Sequence, residues 1–236
     1  MLKRTISNKY VLIFIIFGIV LLVCKYYKEI YFFSLRIINN ITKSYDIEEF
    51  ENFLTPEECD KIIELASPKL FESKVYSSDS DITYKSHRVS KQTWLEDKLD
   101  PIIAKLSWKT AELVGKPIQN QELLQVVKYD KGGFFNPHYD ACSGNELECK
   151  RMNQRGGSRY ATLLIYLNDD FEGGETIFPI IGKSVKPKKG NAILFYDSDK
   201  DGNLIRESFH GGNPIINGNK WICNKWIRIN DINKIV

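Results

Sequence analysis

Leu123-Leu124-Gln125-Val126-Val127-Lys128-Tyr129-Asp130-Lys131-Gly132-Gly133-Phe134-Phe135-Asn136-Pro137-His138-Tyr139-Asp140 is the stretch from which both fold class and chemistry can be read. It opens on an apolar run that reads as a buried strand. In extended chain, side chains at i and i+2 point the same way. His138 and Asp140 therefore offer an imidazole and a carboxylate to one space.

Working outward, short strands alternate with Gly, Asn and Pro turns over 123–130, 159–168, 174–178, 191–196, 205–210 and 220–229. That rhythm, without intervening helices, predicts an antiparallel barrel or jelly roll. Upstream, Thr55-Pro56-Glu57-Glu58 starts a helix: a capping threonine, proline in the first helical position and acid in the first turn. Cys59, Ile62, Ile63, Ala66 and Leu70 follow at helical spacing, so this helix should lean on the core. Residues 88–95 alternate as one strand, and a second helix over 100–114 ends at Gly115. Residues 76–84 read as a surface loop, and 140–158 as a long polar insertion beside the candidate site.

The 236 residues allow one good-sized domain plus an appendage, and 43% hydrophobic with 27% charged residues suits a folded protein. The total charge of +3 is unevenly spread. Residues 1–45 hold seven Lys/Arg against Glu29, a net of +6, which leaves about −3 for the remainder. A slightly acidic body is a poor match for a phosphate backbone, which excludes nucleic acid as the expected partner. Residues 10–24 are an unbroken apolar run flanked by Lys3, Arg4, Lys9, Lys25 and Lys28 and followed by Tyr26, Tyr27, Tyr31, Phe32 and Phe33. This predicts a single-pass membrane anchor over residues 10–27, with 1–45 as tail, anchor and linker and 46–236 as the folded domain. A cleaved signal peptide is the rival, though no small-x-small site follows the run. The sequon Asn40-Ile41-Thr42 suits a lumenal body, in the endoplasmic reticulum or another secretory-pathway membrane. Cys142 and Cys149 bracket a short polar loop and either close a disulfide in an oxidising compartment or remain two thiols.

His138-x-Asp140 alone carries little weight, because such a triplet arises easily by chance. His210 opens a second glycine-flanked segment, His210-Gly211-Gly212-Asn213-Pro214, and only His87 remains besides. Two histidines and one carboxylate around open coordination positions is the facial triad of non-haem Fe(II) oxygenases. Zinc in a hydrolase could use the same donors, but no HExxH helix occurs. Asn217-Gly218 signals a tight hairpin, and Lys220, Ile222, Asn224, Trp226 and Arg228 share one face of the returning strand. A regular hairpin would put Lys220 and His210 on opposite faces. For both to point inward, the chain must bulge, and 211–214 is where it could.

Tyr129 with His138-Tyr139-Asp140, then Arg159-Tyr160-Ala161-Thr162-Leu163-Leu164-Ile165-Tyr166-Leu167-Asn168-Asp169, resembles the prolyl 4-hydroxylase family of Fe(II)/2-oxoglutarate dioxygenases. So do Gly173-Gly174-Glu175-Thr176-Ile177-Phe178-Pro179, Val185-Lys186-Pro187 with Gly190-Asn191-Ala192, and His210 with Lys220-Trp221. The resemblance runs over 50–228 in the family's order. It implies a mainly β fold with flanking helices around a double-stranded β-helix (jelly roll, cupin-like) core, and Fe(II) held by His138, Asp140 and His210. Lys220 matches the lysine that binds the distal carboxylate of 2-oxoglutarate, and Tyr129, Tyr166 and Thr176 match positions that help hold this cosubstrate. Arg88, Ser90, Glu122, Arg159 and Trp226 match positions lining a groove for a proline-rich or collagen-like peptide. Phe135 stands where the family usually has tyrosine. The implied reaction consumes 2-oxoglutarate and O2, uses ascorbate, releases succinate and CO2, and hydroxylates peptidyl proline at C4. Asp140 favours hydroxylation over halogenation, since related halogenases lack that ligand. The alternatives are a lysyl or other peptidyl hydroxylase with the same cofactors, or an inactive membrane-tethered jelly-roll binding module.

Overall fold

The computed structural model describes residues 26–27, 45–73 and 87–235, and the chain from Tyr45 onward forms one compact unit. Among the described residues no helix is long and apolar enough to cross a membrane. The anchor expected over 10–27 lies outside them except for the helical Tyr26 and Tyr27, as do the Asn40 sequon and the 76–84 loop.

Strand β1 (Glu48–Phe50) precedes helix α1 (Pro56–Ala66). Thr55 and Glu58 form a reciprocal capping box there, which satisfies amide groups the first turn leaves free. Strands β2 (Phe71–Glu72), β3 (Arg88–Val89) and β4 (Lys91–Leu95) lead to helix α2 (Pro101–Val114). Asp100 caps its start, and Gly115 ends it in the left-handed conformation that glycine adopts at no steric cost. Strands β5 (Leu124–Tyr129) and β6 (Phe134–His138) follow. The polar insertion then contains helix α3 (Glu146–Met152), capped by Asn145 and tied down by a Cys142–Cys149 disulfide. The remaining strands are β7 (Arg159–Tyr166), β8 (Glu172–Gly173), β9 (Thr176–Phe178), β10 (Lys183–Val185), β11 (Ala192–Tyr196), β12 (His210–Gly212), β13 (Ile215–Asn217) and β14 (Lys220–Arg228).

These strands form a seven-stranded sheet in the order β1-β11-β7-β14-β5-β4-β2 and a five-stranded sheet in the order β10-β9-β12-β6-β3, with β13 and β8 as a separate ribbon. Every pairing is antiparallel, and β5, β6 and β7 alternate between the two sheets, as do β11, β12 and β14. That is the winding of a jelly roll, the mainly β architecture expected.

The large sheet is covered on both faces. Leu163, Ile165, Cys223 and Ile227 pack with Cys59, Ile62, Ala66, Ile103 and Leu106 of α1 and α2. Their strand neighbours Leu164, Tyr166 and Ile222 point the other way, onto Phe178 and Phe195. Burial on both faces is why these strands read as near-continuous apolar runs rather than alternating ones.

Three expectations need correction. Residues 88–95 are two strands, not one: the chain leaves the small sheet at β3 and joins the large one at β4. Both sheets have an inner face, so alternation alone does not reveal the crossing. No hairpin joins His210 to Lys220, because β13 pairs with β8 while β14 pairs with β5 and β7. The pairing of β12 with β6 does slip between His210 and Gly212. However, Lys220 and His210 face the same interior because they lie on opposed sheets. Finally, the strand expected over 205–210 is a 3-10 turn (Arg206–Ser208) ahead of β12.

Candidate active site

β6 and β12 are neighbours, and His138 and His210 are cross-strand partners. Strand pairing thus brings together two imidazoles that are 72 residues apart in the chain. Gly211 permits this closeness: a Cβ there would stand 2.9 Å from the Pro137 nitrogen. Asp140 lies just beyond β6. Its Oδ1 is 3.6 Å from Nε2 of His138, and its Oδ2 is 3.6 Å from Nε2 of His210. Among the described residues these three form the cluster able to hold a metal ion, with one donor atom from each within 4.8 Å of the others.

The donors also point the right way. Nδ1 of His138 lies 2.9 Å from the Asn136 carbonyl and Nδ1 of His210 2.8 Å from that of Ser208. A carbonyl can only accept, so each Nδ1 carries a proton, which leaves Nε2 as the nitrogen a metal can take. Burial pushes the His210 imidazole down to about 4, with the Asp140 charge opposing, so it is neutral near pH 7 as a metal ligand must be. Burial alone would raise Asp140, but the facing His210 and His138 and the Arg159 guanidinium outweigh it and hold the carboxyl below its usual range. The arrangement fits a divalent metal.

Asp140 is gripped from the opposite sheet. Thr162 on β7 and Trp226 on β14 are cross-strand partners. The Trp226 indole N–H donates to Oδ2 at 2.9 Å, and the Thr162 hydroxyl lies 2.8 Å from the same oxygen. Trp226 is also stacked under the Arg159 guanidinium, 3.6 Å from its ring centroid. Arg159 in turn gives two hydrogen bonds to Glu122, at 2.8 and 2.9 Å, and Arg228 gives a third at 2.7 Å.

Lys220 begins β14 opposite Tyr129 on β5. Its ammonium is buried 5.8 Å from the Tyr129 ring centroid and 5.5 Å from that of Tyr166. It donates to the Gly174 carbonyl at 2.6 Å and makes no ion pair among the described residues. Burial lowers it to about 7, with Glu175 opposing weakly from a distance. Tyr166 donates to Thr176 at 2.8 Å, and Tyr129, Thr176, Lys220 and all three metal-type ligands line one cavity.

Of the residues matched to a peptide groove, Arg88 and Trp226 line this cavity, whereas Ser90 stands behind Arg88. Arg88 donates from Nε to the Ser90 hydroxyl at 2.7 Å, and Ser90 bonds Ser73. The Arg88 guanidinium covers the Phe135 ring at 4.6 Å, and that ring stacks on His138 at 3.6 Å. Glu122 and Arg159 are engaged with one another as described. Sequence reasoning missed Thr162, which bonds Asp140, and Asp197, which lies behind Thr162. The available signal was a polar side chain within, or just after, an otherwise apolar buried strand. Gln125 and Asn224 also line the cavity and were not singled out.

Two opposed sheets with a His-Asp-His cluster at one end of their interior and a buried lysine at the other define a jelly-roll metalloenzyme. A family model described as the 2OG-Fe(II) oxygenase superfamily matches residues 124–228. Prolyl 4-hydroxylase 2 of Arabidopsis thaliana is 35% identical over 209 residues, covering 79% of this chain and 68% of the relative. Prolyl 4-hydroxylase subunit alpha-2 of Gallus gallus is 36% identical over 188 residues, covering 79% of this chain, which spans only 34% of that subunit. Among solved structures, the viral collagen prolyl hydroxylase of Paramecium Bursaria Chlorella virus-1, in its 2OG complex, aligns with a TM-score of 0.64 and 33% identity. That alignment covers 78% of this chain and 96% of the viral protein. The chain belongs to the prolyl 4-hydroxylase family of 2OG-Fe(II) oxygenases, enzymes that use Fe(II), 2-oxoglutarate and O2.

Proposed function

We propose that this chain hydroxylates peptidyl proline at C4. The observation that carries the reading is that His138, Asp140, His210 and Lys220 line one cavity. His138, Asp140 and His210 hold Fe(II) through two neutral imidazoles and one carboxylate. Lys220 takes the distal carboxylate of 2-oxoglutarate, with Tyr129, Tyr166 and Thr176 shaping that end. Bound Fe(II) supplies the redox chemistry by which one atom of O2 enters succinate, with loss of CO2, and the other becomes the proline hydroxyl; ascorbate keeps the metal reduced. Arg88 and the Trp226 face are placed at the cavity to meet an extended peptide. A polyproline II segment suits them, since it is ordered before binding and leaves its carbonyls free. Ser90 acts by fixing Arg88, and Glu122 by fixing Arg159 against Trp226.

The same proposal places the catalytic body in the lumen of the endoplasmic reticulum or another secretory compartment, anchored through residues 10–27. The apolar run supports it, as do the Asn40 sequon and the Cys142–Cys149 disulfide, a bond that persists in oxidising compartments.

Incubating the purified chain with Fe(II), 2-oxoglutarate, ascorbate and matched proline-rich and lysine-containing collagen-like peptides tests the function. The expected product is a peptide heavier by one oxygen, placed on proline by fragmentation. Oxygen confined to lysine makes it a lysyl hydroxylase. Peptide binding with no succinate release makes it a binding module.

A further inference from the structure

Asp197 follows β11 and is fully buried. Thr162 stands between it and the metal site: the Thr162 hydroxyl oxygen lies 2.7 Å from Oδ2 of Asp197 and 2.8 Å from Oδ2 of Asp140. A hydroxyl carries one proton and donates once, whereas an ionised carboxylate only accepts. With both carboxyls ionised, one of these two short contacts has no proton in it. A proton on one carboxyl resolves the conflict, and the surroundings decide which.

Asp140 has every reason to stay an anion. The Trp226 N–H donates to its Oδ2, and the Arg159 guanidinium lies 3.9 Å from its Oδ1. Asp197 has the opposite setting. Its second oxygen, Oδ1, is buried without a hydrogen-bond partner among the described residues. That is costly for a charged oxygen and much less so for the carbonyl of a neutral acid. Burial first, then the charges of Asp140 and Glu122, raise its pKa well above the ordinary value, while Thr162 and Arg159 oppose. Arg159 gives two of its bonds to Glu122. From another element Tyr45 also faces Asp197, and it spends its hydroxyl on the Tyr196 carbonyl.

We propose that Asp197 is a neutral carboxylic acid whose O–H donates to Thr162, whose hydroxyl in turn donates to Oδ2 of Asp140, leaving Oδ1 as the atom offered to the metal. The proton chain and the Trp226 N–H then occupy the same oxygen from two sides and set the carboxylate plane. Asp197 is a positioning residue: it touches no ligand and acts only through Thr162. The proposal rests on the metal reading of His138, Asp140 and His210. If Asp197 were ionised instead, it would draw the Thr162 proton away from Asp140 and place a second anion behind the site.

Two measurements on the full chain test this. Infrared difference spectra of the metal-free protein at neutral pH should show the carbonyl stretch of a protonated acid that disappears in Asp197→Asn. Calorimetric titration with Mn(II) should give unchanged affinity for Asp197→Asn, whose amide N–H still donates to Thr162, and about tenfold weaker binding for Thr162→Val and Asp197→Leu, the usual scale for losing a partner behind a metal ligand. Thr162→Ser, which keeps the hydroxyl, should restore binding. Absence of the acid band overturns the proposal. So does an Asp197→Asn protein that binds Mn(II) as weakly as Thr162→Val, since its amide N–H would then have failed to stand in for the O–H of the acid. Failure of the wild type to bind Mn(II) overturns the iron reading itself, whereas binding with the wrong order of variants overturns only the relay.

Discussion

The two ends of β14 differ in how their charges are met. At the Trp226 end the anion Asp140 faces two imidazoles and Arg159, with Trp226 and Thr162 on one of its oxygens. At the Lys220 end, six residues and roughly 20 Å of strand away, a buried ammonium has a single carbonyl and two aromatic walls. Its lowering from 10.5 to about 7 corresponds to a net cost on the order of 5 kcal/mol for holding the charge there. The Asp140 end therefore has its partners built in, whereas the lysine end leaves an ammonium open to an anion, which under the proposed function is the distal carboxylate of 2-oxoglutarate.

The largest effect that would break the contrast is removal of a ligand. Asp140→Ala should weaken Mn(II) binding by at least about a hundredfold, beyond the loss seen for partners behind the ligands. Turnover should fall to background, and retained binding in calorimetry would show that Asp140 is not a ligand. Lys220→Ala should instead leave Mn(II) binding intact while raising the KM for 2-oxoglutarate about a hundredfold, because a buried carboxylate loses its charge partner. The same lysine sets a pH dependence. It must be protonated to hold the carboxylate, so above pH 7 this KM should rise roughly tenfold per pH unit in the wild type, and stay flat in Lys220→Arg. Stability runs in the other direction. The folded chain releases this proton near 7 while the unfolded chain keeps it to about 10.5, so the contribution of Lys220 to stability rises with pH between those values. Trp226→Phe should have the smallest effect: about tenfold weaker metal binding from one lost hydrogen bond to Asp140, with the 2-oxoglutarate KM at saturating metal unchanged.

Much of this was legible in the chain itself. The i, i+2 spacing of His138 and Asp140 and the period-two face of Lys220, Ile222, Asn224 and Trp226 follow from strand geometry alone. Thr55-Pro56-Glu57-Glu58 named its helix start because capping is a matter of four adjacent residues. Local patterns also misled, most plainly at the expected hairpin. Asn217-Gly218 is a good hairpin signal, yet strands β13 and β14 find different partners, since pairing is chosen by the sheets and not by the turn.

Side-chain type and short-range period were enough to name the candidate donors, the buried strands and the lysine that lines the cavity. What holds those groups in place depends on how the two sheets pack. Asp140 meets Trp226 across 86 residues and Thr162 across 22, through a contact between opposed sheets that no local period encodes. The protonation expected of Asp197 is further removed still. It depends on burial, on one hydroxyl shared between two carboxyls, and on where Arg159 spends its bonds, and these exist only once the two sheets have closed.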